Sequence, residues 1–188
     1  MITGLPRALE LADGLEHPIR WDYRAVLDLF EALNDPDVGD RERGLYLLTI
    51  LYEDLEAIPR ESWGSAVERG LWFLNGGEAQ TRKKAPKLMD WEQDLPVIIP
   101  AINRVAGVEV RELPELHWWT FLGYYQEIGG ECTFAQVVGI RDKLLRGKRL
   151  EKHEREYYER NRNLIDLRTR TTAEEEDFLG QLLVKRKG

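Results

Sequence analysis

The run Leu116-His117-Trp118-Trp119-Thr120-Phe121-Leu122-Gly123-Tyr124-Tyr125 leaves this chain little freedom of fold. It is the densest apolar segment in the sequence and marks a core in the C-terminal half. Trp118, Phe121, Leu122 and Tyr125 recur at three- and four-residue intervals, which places them on one face of a helix, while Trp119 sits about 100° round from Trp118. A helix this rich in rings has to be covered by other elements.

Helical periodicity continues through most of the chain. The opening, to Arg20, carries Gly and Pro at short intervals and reads as an extended lead-in with a short hairpin. Asp22 is placed to cap a helix with Tyr23, Val26, Leu27, Phe30 and Leu33 on one face, stopped at Asn34-Asp35-Pro36-Asp37. Asp40 is expected to cap a second helix with a stripe of Leu45, Leu48, Leu51, Tyr52 and Leu55, ended by Ile58-Pro59. Ser62 is expected to cap a third, with Val67, Leu71 and Leu74, terminated by Gly76-Gly77.

After a segment without periodicity, Asp90 opens a helix carrying Trp91, Leu95, Ile98, Ile99, Ile102 and Val105 and closed by Gly107. Pro96 fits a first turn, and Pro100 is expected to kink or split the helix. Val108-Glu109-Val110 alternates as a short extended link. The aromatic helix is expected from Pro114 to Ile128. Thr133 is expected to cap a helix with Phe134, Val137, Val138, Ile140 and Leu144, broken at Gly147. A charged helix follows over 148–163, with Leu150, Tyr157, Tyr158 and Leu164 as its sparse apolar points. Thr172-Ala173-Glu174-Glu175 forms a capping box for a last short helix whose apolar patch is Phe178, Leu179, Leu182 and Leu183.

The fold class is therefore all-α: two small helical bundles or one multi-helix domain, with a charged C-terminal helical extension. The divisions expected are an N-terminal bundle (1–77), a basic linker (78–89), an aromatic-rich helical core (90–147), and a charged helix with a short C-terminal helix (148–188).

Composition narrows the function classes. A net charge of −7 and a pI near 5.2 speak against general binding to nucleic acid or anionic membranes, so neither is expected as a partner. Residues 141–170 are locally basic, but Glu151, Glu154, Glu156 and Glu159 interleave, as in a salt-bridged exposed helix. Cys132 is the single cysteine, which excludes an internal disulfide and fits a reducing cytosol. The N-terminus does not read as a signal peptide, and no apolar run approaches the roughly 18 residues of a membrane helix.

A search for chemistry finds little. His17, His117 and His153 are far apart, and none has a partner at metal-ligand spacing. His153-Glu154-Arg155-Glu156 begins like a zinc-protease helix, but Tyr157 stands where the second histidine is needed. Cys132 lacks a positioned histidine in the sequence pattern. Asp90, Glu92 and Asp94 point to different sides of their helix, so they read as a cap and first-turn acids rather than a metal site. No phosphate-binding glycine loop is present. No catalytic residue, cofactor or metal is expected.

Several of these segments together resemble one family. Asp90-Trp91-Glu92-Gln93-Asp94 opens a helix ending in Ala106-Gly107-Val108-Glu109-Val110. Leu116-His117-Trp118-Trp119-Thr120-Phe121 follows, then Thr133-Phe134, Ile140-Arg141 and a Lys/Glu-rich helix. Asp22-Tyr23-Arg24 and Asp35-Pro36-Asp37 fit as well. In this order they resemble the gene-product-fifteen family of phage tail assembly chaperones, from siphophages and prophages of Gram-positive bacteria. The two prolines after Asp90 depart from that pattern.

The resemblance implies a non-catalytic role in the cytoplasm of the bacterial host and absence from the mature virion. The protein would bind the tape measure protein and keep it soluble until the tail tube assembles. Itself, as a homo-oligomer, and a frameshifted longer form are the further partners. The alternative is a structural tail or connector component of the virion. Candidate contact residues are Trp118, Trp119, Phe178, Leu182 and Leu183, each set against ordinary core packing.

Overall fold

The computed structural model describes residues 4–78 and 86–168. The last expected helix, with Phe178, Leu182 and Leu183, lies outside the described residues, as does most of the basic stretch after Glu78.

The lead-in forms the hairpin its Gly and Pro spacing suggested. Strand β1 (Ala8–Glu10) pairs antiparallel with β2 (Glu16–Pro18), with Leu9 opposite His17. Among the described residues eight α-helices follow: α1 (Tyr23–Leu33), α2 (Asp40–Leu51), α3 (Trp63–Leu74), α4 (Trp91–Ala106), α5 (Trp118–Gln126), α6 (Thr133–Leu145), α7 (Lys152–Arg160) and α8 (Arg162–Ile165). The fold is thus mostly α with one small sheet, and no helix among the described residues is long and apolar enough to cross a membrane.

Helix α1 starts where expected: the Asp22 carboxylate accepts the Arg24 N–H at 3.0 Å. Two other caps differ. Helix α2 is preceded by Gly39, whose N–H donates to the Glu42 carboxylate at 2.9 Å, so Asp40 is the first helical residue rather than the cap. Helix α6 is capped by Cys132, whose Sγ accepts the Ala135 N–H, and Thr133 is already inside. Ser62 ends a 3-10 turn ahead of α3 and makes no side-chain cap.

Helix α2 also ends earlier than Ile58. Tyr52 turns extended and pairs with Ile19, while Arg20 Nη1 donates to the carbonyls of Thr49, Ile50 and Tyr52, satisfying the last turn from outside. Leu47, not Leu45, joins Leu48 and Leu51 in the buried face.

The prolines do not split α4. Pro96 lies beyond the first turn and Pro100 one turn later, so both fall on the solvent side. The opposite face, with Asp94, Ile98 and Ile102 all fully buried, packs undisturbed. Gly107, at φ 72°, closes the helix. Val110–Glu112 is a 3-10 turn rather than an extended link. Helix α5 is shorter than the expected span, beginning only at Trp118, and the charged stretch breaks at Asn161 into α7 and α8.

One hydrophobic cluster runs across both sides of residues 78–89. It joins Leu29 of α1, Leu51 of α2 and Phe73 of α3 to Ile98 of α4 and to Trp118 and Phe121 of α5. A smaller cluster of Val137, Ile140, Leu150 and Ile165 seats α8 on α6.

Candidate functional site

The two neighbouring tryptophans both serve the end of α3. The Trp118 indole N–H donates to the Leu74 carbonyl at 2.9 Å, and that of Trp119 to the Phe73 carbonyl at 2.8 Å. Carbonyls of a helix's last turn lack partners within the helix, so the pair completes α3 from outside. Trp118 is 1% exposed and packed among Phe30, Trp91 and Phe121, so its ring offers no surface to a partner. Trp119 is half-buried, edge-on to Trp72 at 5.3 Å between ring centres. Gly77, at φ 88°, leaves it room: a Cβ there would come within 2.9 Å of the Trp119 ring.

Helices α1 and α5 begin side by side. Tyr23 donates its N–H to the Leu116 carbonyl and Trp118 donates to the Trp21 carbonyl, while Asp22 Oδ2 accepts the Leu116 N–H at 2.8 Å. His117 caps α5: its Nδ1 accepts the Trp119 N–H at 3.0 Å, and its Nε2 lies 2.9 Å from the Pro6 carbonyl. A carbonyl can only accept, so the ring is the neutral Nε2–H tautomer. Burial holds its pKa below the ordinary histidine value. This ring is a structural cap. His17 is likewise engaged, 2.9 Å from Asp13 within the hairpin, while His153 is exposed on α7.

Sequence reasoning missed the most deeply buried polar group. Asp94 is fully buried and Arg141 is 5% exposed. All five guanidinium N–H donors are used. Nη1 and Nη2 meet the two Asp94 oxygens at 2.6 and 2.9 Å; Nε, Nη1 and Nη2 also reach the carbonyls of Ile165, Leu88 and Leu164. Asp94 additionally accepts the Asp90 N–H, and Asp90 accepts that of Gln93. A signal existed: Asp94 shares the face of Ile98 and Ile102, and Arg141 that of Val137. A charge inside an apolar stripe needs a buried partner.

The polar clusters are thus tied up in caps and ties between elements. No group of three or more His, Cys, Asp or Glu placed to hold a metal occurs among the described residues.

An apolar opening lies between α2 and α3. It is a groove of about 440 Å³ lined by Leu45, Leu48, Trp63 and Val67, with Glu42 beside them and Gly44 and Gly64 in its walls. Leu45 is 45% exposed there. A Cβ added at Gly44 or Gly64 would meet nothing within 4 Å. Neither glycine has a positive φ, so neither backbone requires glycine. A second, more polar opening lies between the proline face of α4 and the turn before α6, bordered by Pro96, Pro100, Arg104, Glu131 and Cys132.

No curated protein and no solved structure matches the chain. The family model described as Bacteriophage Gp15 protein matches residues 1–167.

Proposed function

The chain belongs to the Bacteriophage Gp15 protein family, and from that premise we propose that it is a tail assembly chaperone, one that binds the tape measure protein and keeps it soluble during tail morphogenesis. Family membership across residues 1–167 is the observation that carries this reading. A tape measure is largely amphipathic helix, and its apolar stripe would aggregate if left uncovered.

The groove between α2 and α3 suits that client. Its floor is apolar, it opens to solvent, and glycines in both walls allow a helix to approach closely. In this reading the protein is non-catalytic, works in the cytoplasm of a Gram-positive host and is left out of the mature particle.

Co-expression with a phage tape measure protein tests the proposal. The client should become soluble and co-purify only when this protein is present. A client that neither binds nor gains solubility would overturn the chaperone role. Mass spectrometry finding the protein in purified mature particles would favour a structural tail or connector component instead.

A further inference from the structure

We propose that Arg69, Trp72 and Trp119 form a second contact site, which takes the carboxylate of a glutamate or aspartate on the client protein. That the carboxylate belongs to the tape measure protein rests on the proposed function.

The site starts from an idle arginine. Among the described residues Arg69 makes no hydrogen bond and no ion pair, and its Nε is the one buried side-chain nitrogen or oxygen left without a partner. Arg20, Arg24 and Arg141 show the contrast, since each closes on carbonyls of another segment. A buried donor without an acceptor costs about as much as a lost hydrogen bond, and native folds carry few of them.

The guanidinium is held in place by stacking: its carbon lies 4.3 Å from the centre of the Trp72 ring. Its two Nη groups have no protein acceptor either, but water reaches them, so they are the edge open to a ligand. A carboxylate matches that edge. Two parallel N–H groups meet two oxygens, the pairing that Nη1 and Nη2 of Arg141 make with Asp94. Burial has already stripped water from Nε, so an incoming anion has less hydration to displace.

The rings complete the site. Trp119 stands edge-on to Trp72 at 5.3 Å, and Gly77 lies against both: a Cβ there would fall 2.9 Å from Trp119 and 3.4 Å from Trp72. Both indoles are half-buried, which leaves part of each to a partner. The bond from Trp119 to the Phe73 carbonyl uses its N–H and not its ring. Arginine and tryptophan side by side, partly desolvated, are the residues on which binding energy concentrates.

The occupant is a protein carboxylate rather than a nucleic-acid phosphate. A phosphate backbone calls for a row of cations. Here the next charged residues along the chain on either side are Glu68 and Glu78, both exposed, and the whole chain carries a net charge of −7. Those acids repel a polyanion.

The site is also separate from the groove. Arg69 and Trp72 lie about 200° and 140° round α3 from Val67 of the groove lining. A straight helix seated in the groove therefore does not meet Arg69. Two stretches of a long client are held instead, and simultaneous engagement binds more tightly than either site alone.

Capture of a phage tape measure protein by the full chain tests the site. Arg69→Met keeps a stem over Trp72 and should weaken capture about ten- to a hundredfold. Arg69→Lys keeps the charge but not the paired donors, so it should not restore wild-type capture. Arg69→Met should melt no lower than wild type, because the guanidinium ties nothing inside the chain; a purely structural role predicts a lower melting temperature.

A second measurement needs no client. The Nε–H of Arg69, shielded from water, is followed by proton–nitrogen NMR and assigned by its absence in Arg69→Met. Sodium acetate, exchanged for sodium chloride at constant ionic strength, should shift it saturably, and inorganic phosphate should bind no more tightly than acetate.

Unchanged capture by Arg69→Met overturns the inference and leaves the chaperone role intact. A wild type that captures no client overturns both. Absence of a saturable acetate shift removes the site itself, and tighter binding of phosphate would overturn its assignment to a carboxylate.

Discussion

Arg141 closes a bidentate ion pair on Asp94 at 2.6 and 2.9 Å, and the same guanidinium holds the carbonyls of Leu88, Leu164 and Ile165. One side chain of α6 therefore ties together the start of α4, the segment that leads into it, and α8. Removing one partner leaves a buried charge unpaired, so Asp94→Asn or Arg141→Met should each cost about 3–5 kcal/mol in chemical denaturation. The double variant Asp94→Asn with Arg141→Met should lose less than the sum of the singles, because it strands no charge. In Arg141→Met, limited proteolysis should cut within residues 148–168 before it reaches the larger core.

His117 makes the junction of α1 and α5 sensitive to acid. Its pKa is lowered from 6.5, with burial the largest cause and the nearby Arg7 acting in the same direction; the bond to Pro6 opposes both. The unfolded chain therefore binds this proton at a higher pH than the folded one does. The stabilisation is fully present above about pH 6.5 and is lost as pH falls through the folded pKa. Protonation also removes the lone pair that accepts the Trp119 N–H. The melting temperature, measured from pH 8 to pH 5, should decline below pH 6.5. His117→Asn keeps a capping oxygen and cannot titrate, so it should flatten that decline, although it gives up the bond to Pro6.

Gly77 and Gly44 should respond to alanine in opposite directions. At Gly77 the new Cβ would lie 2.9 Å from the Trp119 ring, at a φ of 88° that side chains rarely adopt. Gly77→Ala should destabilise by about 1–3 kcal/mol and move the Trp119 ring off the end of α3. Near-ultraviolet circular dichroism would register the change in the aromatic cluster. Gly44→Ala, in open space inside a helix, should stabilise by about 0.4–1 kcal/mol.

What could be read from the sequence was whatever is local. Asp22 and Asp90 cap their helices, Gly76 and Gly107 take left-handed turns, and the stripe of Trp118 and Phe121 is buried. Gly39 and Cys132 displaced the expected caps by one residue, a distance periodicity cannot resolve. Asp94 was read as a first-turn acid because its partner lies 47 residues away and belongs to another helix. Leu45 fitted the apolar stripe of α2 yet lines an open groove, since burial depends on where α3 lands. The roles of Trp118 and Trp119 at the end of α3 are likewise tertiary: helical spacing placed the rings but not the carbonyls they meet.

Pro100 gives the sharpest separation of fold from function. Inside a helix a proline lacks the N–H for the carbonyl four residues back and crowds it, at a cost of about 3 kcal/mol or more. In α4 that carbonyl belongs to Pro96, on the exposed side, while the face carrying Ile98 and Ile102 keeps its packing. Pro100→Ala should therefore restore a helical bond without disturbing the core, and raise stability by about 1–3 kcal/mol in urea or thermal denaturation. Part of the gain is offset because proline also stiffens the unfolded chain. A loss of stability would mean that the pyrrolidine ring makes a packing contribution greater than its backbone cost. A gain in stability with unchanged client capture would confine the prolines to local backbone effects. A gain accompanied by loss of client capture would place the proline face of α4 and its neighbouring opening at Arg104 and Cys132 within the working surface, beside the groove of α2 and α3.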